Sequence, residues 1–447
     1  MDNILKLKKG LDLPLEGKAA DDAPRTVCPA VRVAVTPDDF PGFVPKLMVK
    51  EGDSVEKGQP IIRSKEHEGL CLCSPATGTI EAVVRGERRK IVRVVIAVDN
   101  ANNSAWRIDV NAADTESIKR ALMISGLWAA MRQRPYDIVP APDKTPKNIF
   151  VTGFDSAPLA PSLEEAVKGK EREIAAGAEA LKKLTAGHIY ISTRAGAKID
   201  VPQCATHVIV DGPHPAGNAG IQAANIAPVN KGETIWTLDI VTLARIGQLI
   251  LTGTTDTSTT VAVTGSETVT PMFVATTDGA EIAPLIAGNV KEDGAHHRII
   301  SGNVLTGKRV EADGFLRFPY RQITIIPEGD DVGEFMGWAS VNPGKMSASR
   351  AFPLQIFKKR FAPDARILGG RRAMIMSEQY DKVLPMDILP EYLIKAIISR
   401  DIDRMESLGI YEVAPEDFAL CEFVDPSKIE LQKIVREGLD YLRKELE

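Results

Sequence analysis

The stretch best equipped for chemistry is Asp211-Gly212-Pro213-His214-Pro215-Ala216-Gly217-Asn218-Ala219-Gly220. It sets one imidazole among glycines whose backbone amides are open to approach, directly after an apolar run at 207–210 that reads as a strand. A loop leaving the C-terminal end of a parallel strand is where α/β sheets usually hold ligands. His214 placed there can hydrogen-bond an anion or a quinone carbonyl. Gly212, His214, Gly217 and Gly220 are therefore the candidate ligand-binding residues. A competing reading gives the prolines and glycines a conformational task, shaping a crossover loop or one that docks on a partner subunit.

Other reactive residue types do not converge. The chain contains no G-x-G and no G-x₄-G-K-[ST], the glycine patterns that bring backbone amides onto a dinucleotide or nucleoside phosphate. It lacks a G-x-S-x-G elbow and an H-E-x-x-H helix, so no catalytic residue is assigned. Its cysteines, at 28, 71, 73, 204 and 421, do not follow iron–sulfur or zinc spacing, and are expected to be reduced thiols. Cys71-Leu72-Cys73 on a strand turns both sulfurs to one side. The adjacent His296 and His297 are expected on a turn surface, and the threonines of 252–260 in a polar linker. No metal ligands are expected anywhere in the chain.

The elements that must position the loop alternate between strand and helix. A helix over 114–131 is capped by Asp114 or Thr115, and a second over 162–184 opens with Ser162 and Glu165 as a capping box. Strands follow at 148–152, 188–192, 207–210 and 234–238, then a helix at 240–251. That rhythm predicts a parallel, doubly wound, Rossmann-like sheet. Residues 49–80 (VKEGDSVEKGQPIIRSKEHEGLCLCSPATGTI) instead alternate short strands with glycine turns. This is similar to the biotinyl/lipoyl-type barrel-sandwich, in which a lysine at the central hairpin tip carries the cofactor. Here the tip falls near His67 and Glu68, with Lys65 a few residues early, so the unit is expected to be a scaffold. Residues 260–312, with turns at Asp278-Gly279 and Asp293-Gly294, suit a small β-grasp fold, and the last third closes in helices.

The expected organisation is a multidomain α/β and β chain. It comprises a barrel-sandwich at 1–100, a Rossmann-like domain at 101–255, a β-grasp domain at 256–328 and a largely helical region at 329–447. A net charge of −5 gives no general attraction to nucleic acid. No run approaches the roughly 18–20 apolar residues of a membrane span, and MDNILKLKKGLDLPLEG has no signal-peptide core. A soluble, cytoplasmic chain is expected. The basic segment from Lys358 to Arg372 can face anionic lipid, an acidic partner or local acids. The final amphipathic helix, with Ile429, Ile434, Val435, Leu439 and Leu442, is expected to pack on a domain.

Several long phrases carry a resemblance. They are LKKGLDLPLEG near the start, SGLWAAMRQRPYDIVP at 125–140, VTGFDSAPLAP at 151–161, DGPHPAGNAG at 211–220 and RIISGNVLTG at 298–307. GWASVNPGKMSASR at 337–350, LGGRRAM at 368–374, VLPMDILPEYL at 383–393 and FALCEFVDPSK at 418–428 continue it in order. The chain resembles the NqrA family, one of the component families of the Na⁺-translocating NADH:quinone reductases. The resemblance implies a complex that oxidises NADH, reduces ubiquinone or menaquinone and exports Na⁺. This component would be peripheral, on the cytoplasmic face of the bacterial inner membrane, bound to integral membrane partners. The family is similar to the larger subunit of the ferredoxin-linked electron-transport complex and, more distantly, to the flavin-binding subunit of respiratory complex I. Those relatives end in an iron–sulfur domain. Here Cys421 stands in a Cys-Glu-Phe-Val-Asp-Pro context, with Asp425 where a further cysteine would be expected, and the flavin loop is missing. The flavins and iron–sulfur centres would then sit on other subunits, with no cofactor held by this chain. Two alternatives stay open: a lipoyl- or biotin-type carrier, and a stand-alone NADH-flavin dehydrogenase.

Overall fold

Residues 3–330, 346–348 and 359–447 are described by the structure, a computed structural model. Most of GWASVNPGKMSASR and the first residue of the basic segment, Lys358, lie outside the described residues.

The centre is a 6-stranded sheet in the order Asn3–Lys6, Thr206–Asp211, Ile189–Thr193, Asn148–Thr152, Ile235–Asp239, Arg132–Arg134. Every pairing is parallel except the last, where Arg132–Arg134 runs antiparallel along the edge. A parallel sheet must be covered on both faces, and its covers differ. Helices Glu171–Lys182 and Ile240–Thr252 form one, burying Ile174, Ala178, Leu181, Leu243 and Ile246 against Ile149, Val151, Ile189 and Ile191. The other is helix Ala219–Ile226 together with the C-terminal helices Pro390–Ser399 and Leu431–Leu446. Their Leu393, Ile394, Val435 and Leu439 share one core with Phe150, Val208 and Val210. The final helix therefore spends its apolar stripe inside the protein.

Local rules account for most element ends. Asp114, rather than Thr115, caps helix Thr115–Ile124, its carboxylate accepting the Glu116 and Ser117 amides. The expected helix at 162–184 is two. Ser162 does cap Leu163–Ala166, but the chain breaks at Gly169, which sits at φ +77, before Glu171–Lys182 begins. Ser162 is thus a real start signal for a single turn only.

Residues 32–98 form a sandwich. One layer has 4 strands, ordered Arg32–Val35, Ile91–Val98, Gly78–Arg85, Ser54–Val55. The other has 3 strands, ordered Pro45–Leu47, Pro60–Ser64, Cys71–Cys73. Gly52 and Gly58 take the positive φ that their turns require, at +88 and +83. Gly78 serves differently, since a Cβ there would lie 2.0 Å from the Ala97 carbonyl oxygen. In the hairpin turn Ser64 Oγ accepts from the amides of Glu66 and His67, and exposed Lys65 is tied by its own amide to Val44 O.

A mixed 6-stranded sheet follows, ordered Lys308–Val310, His297–Ser301, Gln322–Pro327, Ser258–Thr264, Met272–Thr277, Arg25–Val27. The first residues of the chain are thus shared out. Asn3–Lys6 completes the parallel sheet and Arg25–Val27 completes this one, before the sandwich begins at Arg32. A division by sequence style puts both strands in the first unit. Their partners begin far along the chain, at Val208 and Phe273, a pairing that local patterning does not encode.

Candidate functional site

The parallel sheet sets the location of the site. From Asn148–Thr152 the chain adds strands on one side, to Ile189–Thr193 and then Thr206–Asp211, and afterwards crosses back to Ile235–Asp239. The order therefore reverses between Asn148–Thr152 and Ile235–Asp239. Ligand crevices in open α/β sheets form at the carboxyl ends of strands at such a switch point. A cleft of about 930 Å³ opens there, lined by Thr152 and Asp239 at the two strand ends and by His214 and Gly217 from the loop. The sandwich contributes Asp38 and Asp39, the mixed sheet Thr306, Tyr320 and Arg321, and the C-terminal region Glu416.

The loop is held from several directions. Thr152 Oγ1 donates to Gly217 O over 2.9 Å and accepts from Gln222 Nε2 at 3.1 Å. Arg194 Nη1 donates to Gly212 O at 2.7 Å while its guanidinium lies 4.4 Å from the Phe154 ring centroid. The N-terminal segment clamps the far side, with His214 N donating to Asp12 Oδ1 at 2.9 Å and Leu11 N donating to His214 O at 2.8 Å.

His214 is 4% exposed. Its Nδ1 stands 3.0 Å from Ser156 Oγ, and the same oxygen accepts the Gly217 amide at 2.8 Å. A hydroxyl oxygen can accept twice and donate once, so this contact serves either neutral tautomer of the ring. Burial lowers the imidazole to about 4, with Asp12 opposing the shift, so the ring is neutral at physiological pH. The product is a buried, uncharged N–H donor at the end of a parallel sheet.

The expected glycines divide. Gly217 reaches the cleft, and a Cβ on it would meet the Ser156 nitrogen at 2.6 Å. Gly212 and Gly220 are not among the lining residues. A Cβ on Gly212 would sit 2.5 Å from Leu7 O, and one on Gly220 1.9 Å from Arg134 Nη2. Both glycines serve close packing. The Arg134 side chain, 1% exposed, bridges to fully buried Asp417 at 2.6 Å and donates to Glu412 O at 2.6 Å, joining the sheet edge to the C-terminal helices.

Several cleft residues carry no local sequence signal. Asp239 caps helix Ile240–Thr252 through the Thr242 amide at 2.7 Å and binds Arg321 Nη1 at 2.5 Å. Burial opposes its ionisation, but Arg321 and the amide prevail and hold the carboxyl below its usual range. Asp155 and Glu416 open onto the cleft, yet the protein around them displaces bulk water and pushes both carboxyls up, with the Asp417 charge adding to the effect on Glu416. Tyr320 is pushed up to about 12 by burial and donates its hydroxyl to Thr306 O. Phe154, Leu163, Leu238, Leu305 and Phe318 supply apolar wall. Among these, Asp155 falls within a phrase the sequence marks out, VTGFDSAPLAP.

The C-terminal region around Cys421 is closed. The thiol is buried at 0% exposure and raised by that burial, and Asp425 accepts the amides of Ser427 and Ile429. Among the described residues no cysteine belongs to a group of three metal-ligating side chains.

The chain matches the family described as NqrA N-terminal barrel-sandwich hybrid domain over residues 5–99. It matches the NqrA second alpha/beta domain over 113–255 and the NQRA C-terminal domain over 260–312. It is 35% identical over 455 residues to the NqrA component of the Na(+)-translocating NADH-quinone reductase of Serratia proteamaculans, covering 99% of this chain and 100% of that one. Identity to the corresponding protein of Neisseria meningitidis serogroup C is 36% over 456 residues, with the same coverage of 99% and 100%. Among solved structures, an NAD+-reducing [NiFe]-hydrogenase in its H2-reduced state shares 13% identity, covers 74% of this chain and 61% of its own, and superposes with a TM-score of 0.37, a likeness too slight to build on.

Proposed function

The chain belongs to the NqrA family of the Na(+)-translocating NADH-quinone reductases, and from that premise we propose that its switch-point cleft binds quinone. As a member it is one component of a multi-subunit enzyme that couples NADH oxidation by quinone to Na⁺ translocation. Among the described residues no helix is long and apolar enough to cross a membrane. In our reading it sits peripherally on the cytoplasmic face, bound to the integral membrane subunits, and holds no flavin or iron–sulfur centre of its own.

The observation that carries the quinone reading is the His214 donor. A quinone offers carbonyl oxygens that accept hydrogen bonds and an apolar ring and tail that need apolar walls. In the tautomer whose Nδ1 accepts the Ser156 hydrogen, the Nε2–H of His214 supplies the donor, and Phe154, Leu238 and Phe318 supply wall. Ser156 holds the ring and the Asp12 carboxylate holds the His214 backbone amide, so little ordering is left to occur on binding. Gly212 and Gly220 enter this reading only as packing residues.

In the assembled complex, His214→Ala is expected to raise the KM for quinone about tenfold, the loss of one hydrogen bond in a dry site. NADH oxidation by an artificial electron acceptor should be unchanged. An unaltered quinone KM removes the loop from the site. A carrier role would require an acyl group on Nζ of the exposed Lys65. Intact mass of the purified chain equal to the sequence mass excludes it.

A further inference from the structure

Glu267, Asp293 and His297 stand at one corner of the mixed sheet, none of them lining the cleft, and each offers a ligand atom within 4.8 Å of the others. We propose that they form a binding site for a divalent transition-metal cation, zinc by its donor set. Sequence spacing predicts no metal ligands and puts both adjacent histidines on a turn surface. That holds for exposed His296, whereas His297 lies on a strand with its side chain 12% exposed.

His297 is the anchor of the group. Its Nε2 lies 3.0 Å from the Lys291 carbonyl oxygen, which can only accept, so that nitrogen carries a hydrogen. When the ring holds no second hydrogen, Nδ1 is a bare lone pair. It is buried, makes no hydrogen bond, and faces Glu267 Oε2 at 3.3 Å. The Glu267 side chain is 10% exposed. Two lone-pair atoms therefore meet in a dry place with no donor between them. A cation in the gap, either a proton on Nδ1 or a metal ion, satisfies both atoms, and ligand bonds of about 2.0–2.1 Å at a tetrahedral angle separate their donor atoms by about 3.3 Å. The backbone-oriented imidazole is the second half of the pattern, because metal-binding histidines commonly donate their other N–H to a carbonyl or carboxylate.

The third ligand and the competing charge are both movable. Asp293 is half exposed and its Oδ1 lies 3.4 Å from Nε2, on the Lys291 side of the ring, so it joins a metal on Nδ1 only when its turn swings round. Lys291 Nζ approaches Glu267 Oε1 only to 3.8 Å, on a side chain 46% exposed, and can retire to solvent. The fixed ligands are more rigid. His297 opens a strand paired with Gln322–Pro327, and the Glu267 amide donates to Ile325 O at 3.2 Å in the same sheet. One imidazole and carboxylate oxygens suit zinc better than the hard, all-oxygen ions.

The test uses the tag-free full chain and Zn²⁺ itself, titrated calorimetrically against a competing chelator. One Zn²⁺ per chain is expected, bound at least tenfold more weakly by both His297→Gln and Glu267→Gln. His296→Gln should bind as the unaltered chain does, since His296 is 81% exposed and turned to Asp330. No stoichiometric binding, or equal binding by the three variants, overturns the site. Should His297→Gln fail to fold, zinc-edge absorption spectroscopy on the unaltered chain decides. A shell of oxygens with one imidazole supports the assignment, and an all-oxygen or sulfur-containing shell overturns it.

Discussion

At the scale of single residues, His214 ties stability to the proposed chemistry through one buried ring. Its native value of about 4 lies below the unfolded value near 6.5, so between those limits the unfolded chain holds a proton that the native chain does not. Stability from this residue is complete above pH 6.5 and is lost as pH falls toward 4, by about 3 kcal/mol in all. Urea unfolding of the unaltered chain and of His214→Gln, compared from pH 7 to 4.5, should show a shallower decline in the variant. Identical pH profiles would mean that the ring is not held neutral by burial. The sequence singles out this histidine because of its neighbours in the loop. It does not expose Ser156, which contacts the ring from 58 residues away, or Asp12, which accepts the His214 backbone amide from 202 residues away. A side chain positioned by distant segments leaves no local mark, and for the same reason Gly212 and Gly220 cannot be separated from Gly217 by sequence.

At the scale of elements, the junction between the parallel sheet and the C-terminal helices rests on a buried charge pair. Removing one partner of such a pair leaves the other uncompensated, at a cost of about 3–5 kcal/mol. Asp417→Ala should cost that much in chemical denaturation, because it strands Arg134 and also removes the acceptor of the Ala414 amide at 2.9 Å. Gly220→Ala should destabilise the same junction, since its Cβ would displace the Arg134 guanidinium. Limited proteolysis of either variant is expected to release the C-terminal helices before the sandwich is cut. Cleavage in the sandwich first would contradict this view of the junction. The strands and the Ile240–Thr252 helix are legible in the sequence because apolar runs and the Gly253 terminator, at φ +71, act locally. The break at Gly169 is not, because the apolar stripe continues across it.

At the scale of the whole molecule, four segments distant in sequence converge on one cleft, and the parallel sheet decides where they meet. The sandwich hairpin turn is held by Ser64, and the C-terminal core is filled by Cys421 and Asp425. Alternation of strands and helices, read from sequence, is enough to place the loop at a sheet end. The cleft's other walls depend on tertiary closure, as when Arg321 crosses from the mixed sheet to Asp239. A quinone-binding component without a redox centre should be colourless when isolated, with no flavin or iron–sulfur absorbance. A coloured, reducible preparation would contradict that part of the proposal.

The most direct measurement is equilibrium binding of a short-chain ubiquinone to the isolated chain, followed by tryptophan fluorescence, for the unaltered protein and for His214→Ala with its fold verified. A quinone site in the cleft predicts saturable binding at one site, weakened about tenfold by the substitution, as loss of one buried hydrogen bond would give. Binding of equal strength in both proteins, or no saturable binding to the unaltered chain, would contradict it.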